Sequence, residues 1–248
     1  MEQATSYYES QSVGRRIRTR EDVDALARSE AMVYQQVLMP RLAGFREPVI
    51  YEAATGPGIL QSWLASTGFR DVHGSDFSQT EAELARQTNP RVAHADSLAH
   101  LDSFPDEHFD IVIALDFLEH LQREDFRRWL AISHAKLKPS GMLIMRGPNG
   151  DSPLVGLNLF NDITHVWCYT STCLKVLHGL AGFRSVRFED DALGSIHGGG
   201  WWKRGVMHVS RVILRGLLRA ATRQQVDHLG SSLYSYALKG EGSADTPR

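Results

Sequence analysis

The run Phe109-Asp110-Ile111-Val112-Ile113-Ala114-Leu115 constrains the fold more than any other stretch of the chain. Only Asp110 is polar, so a strand made of it must be covered on both faces, the condition of a central strand in a parallel sheet. Its neighbours alternate in type. Strands are predicted at 49–51, 72–75, 91–95, 142–145, 186–188 and 233–238. Helices are predicted at 21–44, 59–66, 79–87, 123–137 and 170–180. Strands alternating with helices imply an α/β fold with a doubly wound, mostly parallel sheet of seven strands. The length of 248 residues allows one domain with an insertion. The reading divides it into an N-terminal helical cap (1–45), a sheet-and-helix core (46–189), an insertion or lid (190–230), the last core strand (231–240) and a disordered tail (241–248).

Charge narrows the function classes. Residues 201–248 hold eight Lys/Arg and three Asp/Glu, a balance of +5, so with a net charge of −2 residues 1–200 carry −7. An acidic body argues against a nucleic-acid partner, which needs a basic footprint. Cys168 and Cys173 form neither a disulfide framework nor a zinc knuckle. The first residues lack the apolar run of a secretory leader. No stretch reaches the length of a membrane span. The expectation is a cytoplasmic protein.

Acids and glycines then recur at one edge of the sheet. The first strand runs into Glu52-Ala53-Ala54-Thr55-Gly56-Pro57-Gly58. Glycines there let a ligand approach the backbone, and the next helix N-terminus offers N–H groups. Asp76 follows the second strand and is placed to accept both hydroxyls of a ribose. Asp96 follows the third and is placed to accept from an adenine amino group. Gln61 stands where a dinucleotide site needs its third glycine, which argues against a dinucleotide oxidoreductase.

Together these residues resemble the class I methyltransferases that use S-adenosylmethionine (SAM). Glu52-x-Ala54-x-Gly56-x-Gly58 is similar to that family's E/D-x-G-x-G-x-G loop. Phe109 to Val112 followed by Asp116-Phe117-Leu118-Glu119-His120-Leu121 is similar to its fourth motif. Leu137-Lys138-Pro139-Ser140-Gly141 is similar to its LKPGG turn. Ala54 and Ser140 depart from the pattern, each standing where the family has glycine. The resemblance implies SAM as cofactor, with Glu52, Ala54, Gly56, Gly58, Asp76, Phe77, Asp96, Ser97 and Leu115 around it.

Methyl transfer to a hydroxyl needs positioning and a base. His165 is the first candidate base, with Asp162 as its orienter. Asp116 and His120 complete the catalytic set, although a packing role beneath the sheet edge is the favoured reading of His120. Asp116-x-x-Glu119-His120 with the distal His165 is also similar to the E-x-x-E-H plus His arrangement of some metal-assisted methyltransferases. A divalent metal stays open there, and none is assigned.

The periphery bears on the acceptor. Asn161 to His165, with Leu174, Leu177 and Ala181-Gly182-Phe183, looks like bacterial polysaccharide and sugar O-methyltransferases. Glycan biosynthesis, with a glycan or sugar hydroxyl as acceptor, is therefore the first expectation. The alternatives are a phenol- or quinone-type small molecule, or a catalytically silent SAM-binding regulator. A basic helix is predicted over 206–225, with Arg211, Arg215, Arg219 and Arg223 spaced by four. The region 201–225 suits peripheral contact with the inner membrane face or a lipid-linked substrate. Packing on its own domain or in a homodimer is the competing reading.

Overall fold

The computed structural model describes residues 17–190, 201–223 and 226–240. The expected tail at 241–248, the first sixteen residues and 191–200 lie outside them. In chain order the elements are α1 (Arg20–Val37), α2 (Met39–Leu42), β1 (Ile50–Ala53), α3 (Ile59–Ser66), β2 (Val72–Asp76), α4 (Gln79–Arg86) and β3 (Val92–His94). There follow α5 (Ser97–Asp102), β4 (Phe109–Leu115), a 3-10 turn (Leu118–His120), α6 (Arg123–Lys136), β5 (Leu137–Pro148) and α7 (Gly156–Leu159). Last come α8 (Ser171–Leu180), β6 (Phe183–Asp190), α9 (Trp201–Thr222) and β7 (Ser232–Lys239).

The strands form one sheet in the order β3-β2-β1-β4-β5-β7-β6. β3 to β5 run parallel, and β7 enters antiparallel between β5 and β6. This is the doubly wound, seven-stranded sheet expected from the sequence. β4 shows why its composition was decisive. Ile111 and Ile113 join Ile50, Leu60, Leu64 and Tyr34 on one face. Val112 and Ala114 join Tyr51, Leu101, Trp129 and Leu143 on the other. Two separate apolar layers therefore meet at one strand, and neither alternates with solvent.

Caps set the helix starts. Thr19 and Asp22 form a reciprocal capping box at α1. Ser78, Asp96 and Thr170 cap α4, α5 and α8 through their side chains. α1 and α2 pack as a core layer. Leu38 and Leu42 are fully buried, and the Tyr34 ring lies 5.3 Å from that of Trp63 in α3.

Several elements differ from expectation: the helix expected over 21–44 is split into α1 and α2, and α7 was not expected. α5 is an addition, a six-residue helix over a stretch to which the sequence pattern assigned no element. β5 starts at Leu137, since Leu137 pairs with Phe109 across a register shift before Ile111. α9 begins near Trp201, earlier than residue 206, and ends before 225. Both departures from the family glycines fall on left-handed backbone, Ala54 at φ 48° and Ser140 at φ 63°. A side chain there is strained by about 1–2 kcal/mol, the cost that glycine avoids.

Candidate active site

The glycine turn is built by its neighbours. Gly58 has φ 93°, and a Cβ on it would lie 3.0 Å from Ala85 Cα in α4. Gly56 has φ 52° with open space where a Cβ would stand, the room a ligand needs. Its N–H donates to Asp76 Oδ2 at 2.8 Å, and Ser78 N–H donates to Asp76 Oδ1 at 2.8 Å. Burial pushes the Asp76 carboxyl up, against those two bonds. Each oxygen keeps a second lone pair, so the acid holds the loop and still has capacity for ribose hydroxyls.

Glu52 is buried and faces the core. Burial raises its pKa to about 8, while Gln61 Nε2 donates to it at 2.7 Å. Gln61 Oε1 in turn accepts from Asn89 at 2.7 Å. Glu52 is thus a neutral-leaning anchor between β1 and α3. The Ser97 side chain also differs from its expected role. Its hydroxyl is buried and accepts from Ala54 N at 3.1 Å and lies 3.0 Å from Ser75 Oγ. Asp96 caps α5 through Ala99 N at 2.9 Å. It also lines a cleft of about 290 Å³ with Leu98, Ala99, Leu121, Asp125 and Arg128. Phe77 is exposed and Leu115 half-buried at the same edge.

The catalytic candidates divide. Asp116, at φ 52°, forms a two-pronged ion pair with Arg146, Nε to Oδ1 at 2.9 Å. Arg146 also donates to Tyr234 Oη at 3.1 Å. Asp116, a catalytic candidate in the sequence, is thus held by Arg146. His120 and His165 come together, with ring centroids 4.7 Å apart. Burial first, then the neighbouring His165, lowers the His120 pKa to about 4, so its ring is neutral. Thr164 Oγ1 gives its one proton to Asp162 Oδ1 at 2.6 Å and so receives from His120 Nδ1 at 3.0 Å.

His165 is oriented by carbonyls. Its Nδ1 donates to Asn158 O at 2.9 Å and Leu159 O at 3.2 Å, which leaves Nε2 as the basic nitrogen. The expected orienter, Asp162, bonds Thr164 N and Oγ1 instead. Glu119 was missing from the expected catalytic set, although it lies in the same Asp116-to-His120 motif. It is 1% exposed. Its Oε1 lies 3.9 Å from His165 Nε2, and its buried Oε2 has no hydrogen-bond partner among the described residues. Burial, then Asp116 and Asp162, holds this carboxyl well above the usual range. One ligand atom each from Glu119, His120 and His165 lie within 4.8 Å of one another, a set whose chemistry also fits a divalent ion.

Sheet order, crossover helices and an acid-flanked glycine turn at the carboxyl edge define the class I fold of SAM-dependent methyltransferases. The family described as "Methyltransferase domain" matches residues 51–145. That segment is similar to a methyltransferase domain. Demethylmenaquinone methyltransferase of Chlorobaculum tepidum is 32% identical over 101 residues, 41% of either chain. The namesake of Chlorobaculum parvum is 31% identical over 101 residues. The chain thus spans 41% of the length of these curated relatives. A SAM-dependent methyltransferase of Archaeoglobus fulgidus superposes with a TM-score of 0.67 at 22% identity, covering 94% of this chain and all of that one. Haemonchus contortus phosphoethanolamine N-methyltransferase 2, in complex with SAM, gives 0.58 at 15% identity, covering 93% of this chain and 60% of that one. Likeness at this identity carries the fold.

Proposed function

We propose that the protein transfers the methyl group of SAM to a hydroxyl of a phenol- or quinol-type small molecule. The observation that carries the transfer is the pairing of the glycine turn with the His120–His165–Glu119 cluster at the same sheet edge. The acceptor O–H gives its proton to His165 Nε2 as its oxygen attacks the methyl carbon. The carbon–sulfur bond breaks with its electron pair going to sulfur, which leaves S-adenosylhomocysteine. Glu119 Oε1 lies 3.9 Å from His165 Nε2.

The acceptor class is supported by two things. The relatives named demethylmenaquinone methyltransferase favour a ring acceptor over the glycan first expected. The segment leading to His165 also exposes Leu157, Phe160 and Ile163, each 68–82% accessible, an apolar surface suited to a ring or an isoprenoid tail. The insertion at 190–230 is read as the acceptor-side cover. Cytoplasmic action is part of the same proposal. Incubation with trideuteromethyl-SAM and matched pools of phenols, quinols and sugars, followed by mass spectrometry, tests it. A mass gain of the labelled methyl in the ring pool supports the reading. Label confined to sugars restores the glycan.

A further inference from the structure

We infer that the outward face of α9 seats the protein on an anionic lipid surface. The inference is independent of the acceptor proposed above. α9 carries two apolar faces. Met207, Leu214 and Leu218 are half-buried, as is Arg211 between them. Arg211 pairs with Asp190 and Arg215 donates to the Asp227 carbonyl, so this side is tied to the body. The opposite side holds Trp202, Val206, Val209, Ile213 and Leu217, spaced by four, three, four and four. These five are 56–62% exposed. At about 1.5 Å per residue the stripe runs for roughly 22 Å, a contiguous apolar patch that a helix serving only its own fold does not keep in water.

Charge selects the occupant. From Trp201 to Arg223 the sequence has Lys203, Arg204, Arg211, Arg215, Arg219 and Arg223 and no Asp or Glu. Arg219 and Arg223 are exposed. A basic amphipathic helix with an apolar stripe is the form that lies in a lipid interface. A second copy docked on this face would bring together two helices that carry basic residues and no acid, which disfavours self-association through it. The −7 balance of residues 1–200 repels an anionic membrane and leaves α9 as the docking side. No helix among the described residues is long and apolar enough to cross a membrane, so α9 would lie on the surface. The segment after α9 is joined to the end of β5, where Asn149 Nδ2 donates to His228 O at 3.1 Å and Gly230 O at 2.8 Å. A lipid-seated α9 is therefore connected directly to the strand end beside the catalytic loop.

The test is flotation of the full chain with vesicles of phosphatidylcholine, with and without about one-third phosphatidylglycerol, at low and high salt. Binding to the anionic vesicles at low salt is expected. It should fall about tenfold or more at ~1 M salt, where the Debye length shrinks to about 3 Å. Ile213→Asp and, separately, Arg219→Glu should each lower binding about tenfold with circular dichroism and SAM affinity unchanged. Failure of the wild-type chain to float with anionic vesicles overturns the inference. So does flotation that neither substitution alters. A dimer that Ile213→Asp splits, with no vesicle binding, assigns the face to a second copy and also overturns it.

Discussion

The backbone N–H of Gly56 donates to Oδ2 of Asp76 at 2.8 Å, so the glycine turn after β1 and the acid after β2 are one unit. Asp76→Ala removes this clamp and the acceptor for the ribose together. Charge-assisted hydrogen bonds contribute about 1.5–3 kcal/mol, so SAM affinity should fall about tenfold or more. Calorimetry on folded variant checks this, and wild-type affinity would refute the assignment.

Glu52 gives a pH signature. Its folded pKa of about 8 lies above the ordinary carboxylate value of 4.5, so the folded state holds the proton longer. Its contribution to stability is full below the unfolded value and is lost as pH rises toward about 8. Linkage caps the loss at about 5 kcal/mol. Glu52→Gln should flatten the stability profile between pH 5 and 8.5, measured by urea denaturation. Parallel profiles for the two proteins would contradict the burial argument.

The base is tested at His165. His165→Ala should lower kcat by roughly 10²–10⁴ while SAM binding persists, since the ring lies in the loop before α8 and not in the glycine turn. His120→Ala should cost less, because its ring acts through packing on His165. Activity that survives exhaustive chelation fits a proton-accepting cluster. Loss on chelation with rescue by a divalent ion would reassign Glu119, His120 and His165 as ligands.

Ala54 and Ser140 invite the reverse substitution. Each occupies left-handed backbone, so Ala54→Gly and Ser140→Gly relieve strain while loosening the unfolded chain. The two effects nearly offset, and stability should change by no more than about 1 kcal/mol. Gly58→Ala is the contrast, with φ 93° and Ala85 in contact, and should destabilise by at least about 1 kcal/mol. Thermal melts of the three variants separate these outcomes.

These residues also show what a sequence makes legible. β4 could be read because burial on both faces leaves one composition available to it. The glycine turn and Asp76 could be read because backbone geometry and charge restrict residue choice. Asp162 was misread as the orienter of His165 because the true acceptors, the carbonyls of Asn158 and Leu159, carry no side-chain signature. The pairing of Asp116 was not legible, because its partner Arg146 is thirty positions away on β5. Ser97 and Glu119 show the same limit, since burial is set by the neighbours and not by the residue. Arg211 and Arg215 belonged to an even four-spaced stripe in the sequence, and Asp190 and the Asp227 carbonyl turn them to the body.

The most direct test of the account is a structure with S-adenosylhomocysteine bound. The ribose hydroxyls should lie within about 3 Å of the Asp76 carboxylate, and the adenine should lie beside Asp96. The sulfur should point along the carboxyl edge toward His165 Nε2. A nucleoside bound away from Asp76, or a sulfur turned from the His120–His165 pair, would contradict the assignment of this edge as the methyl-transfer site.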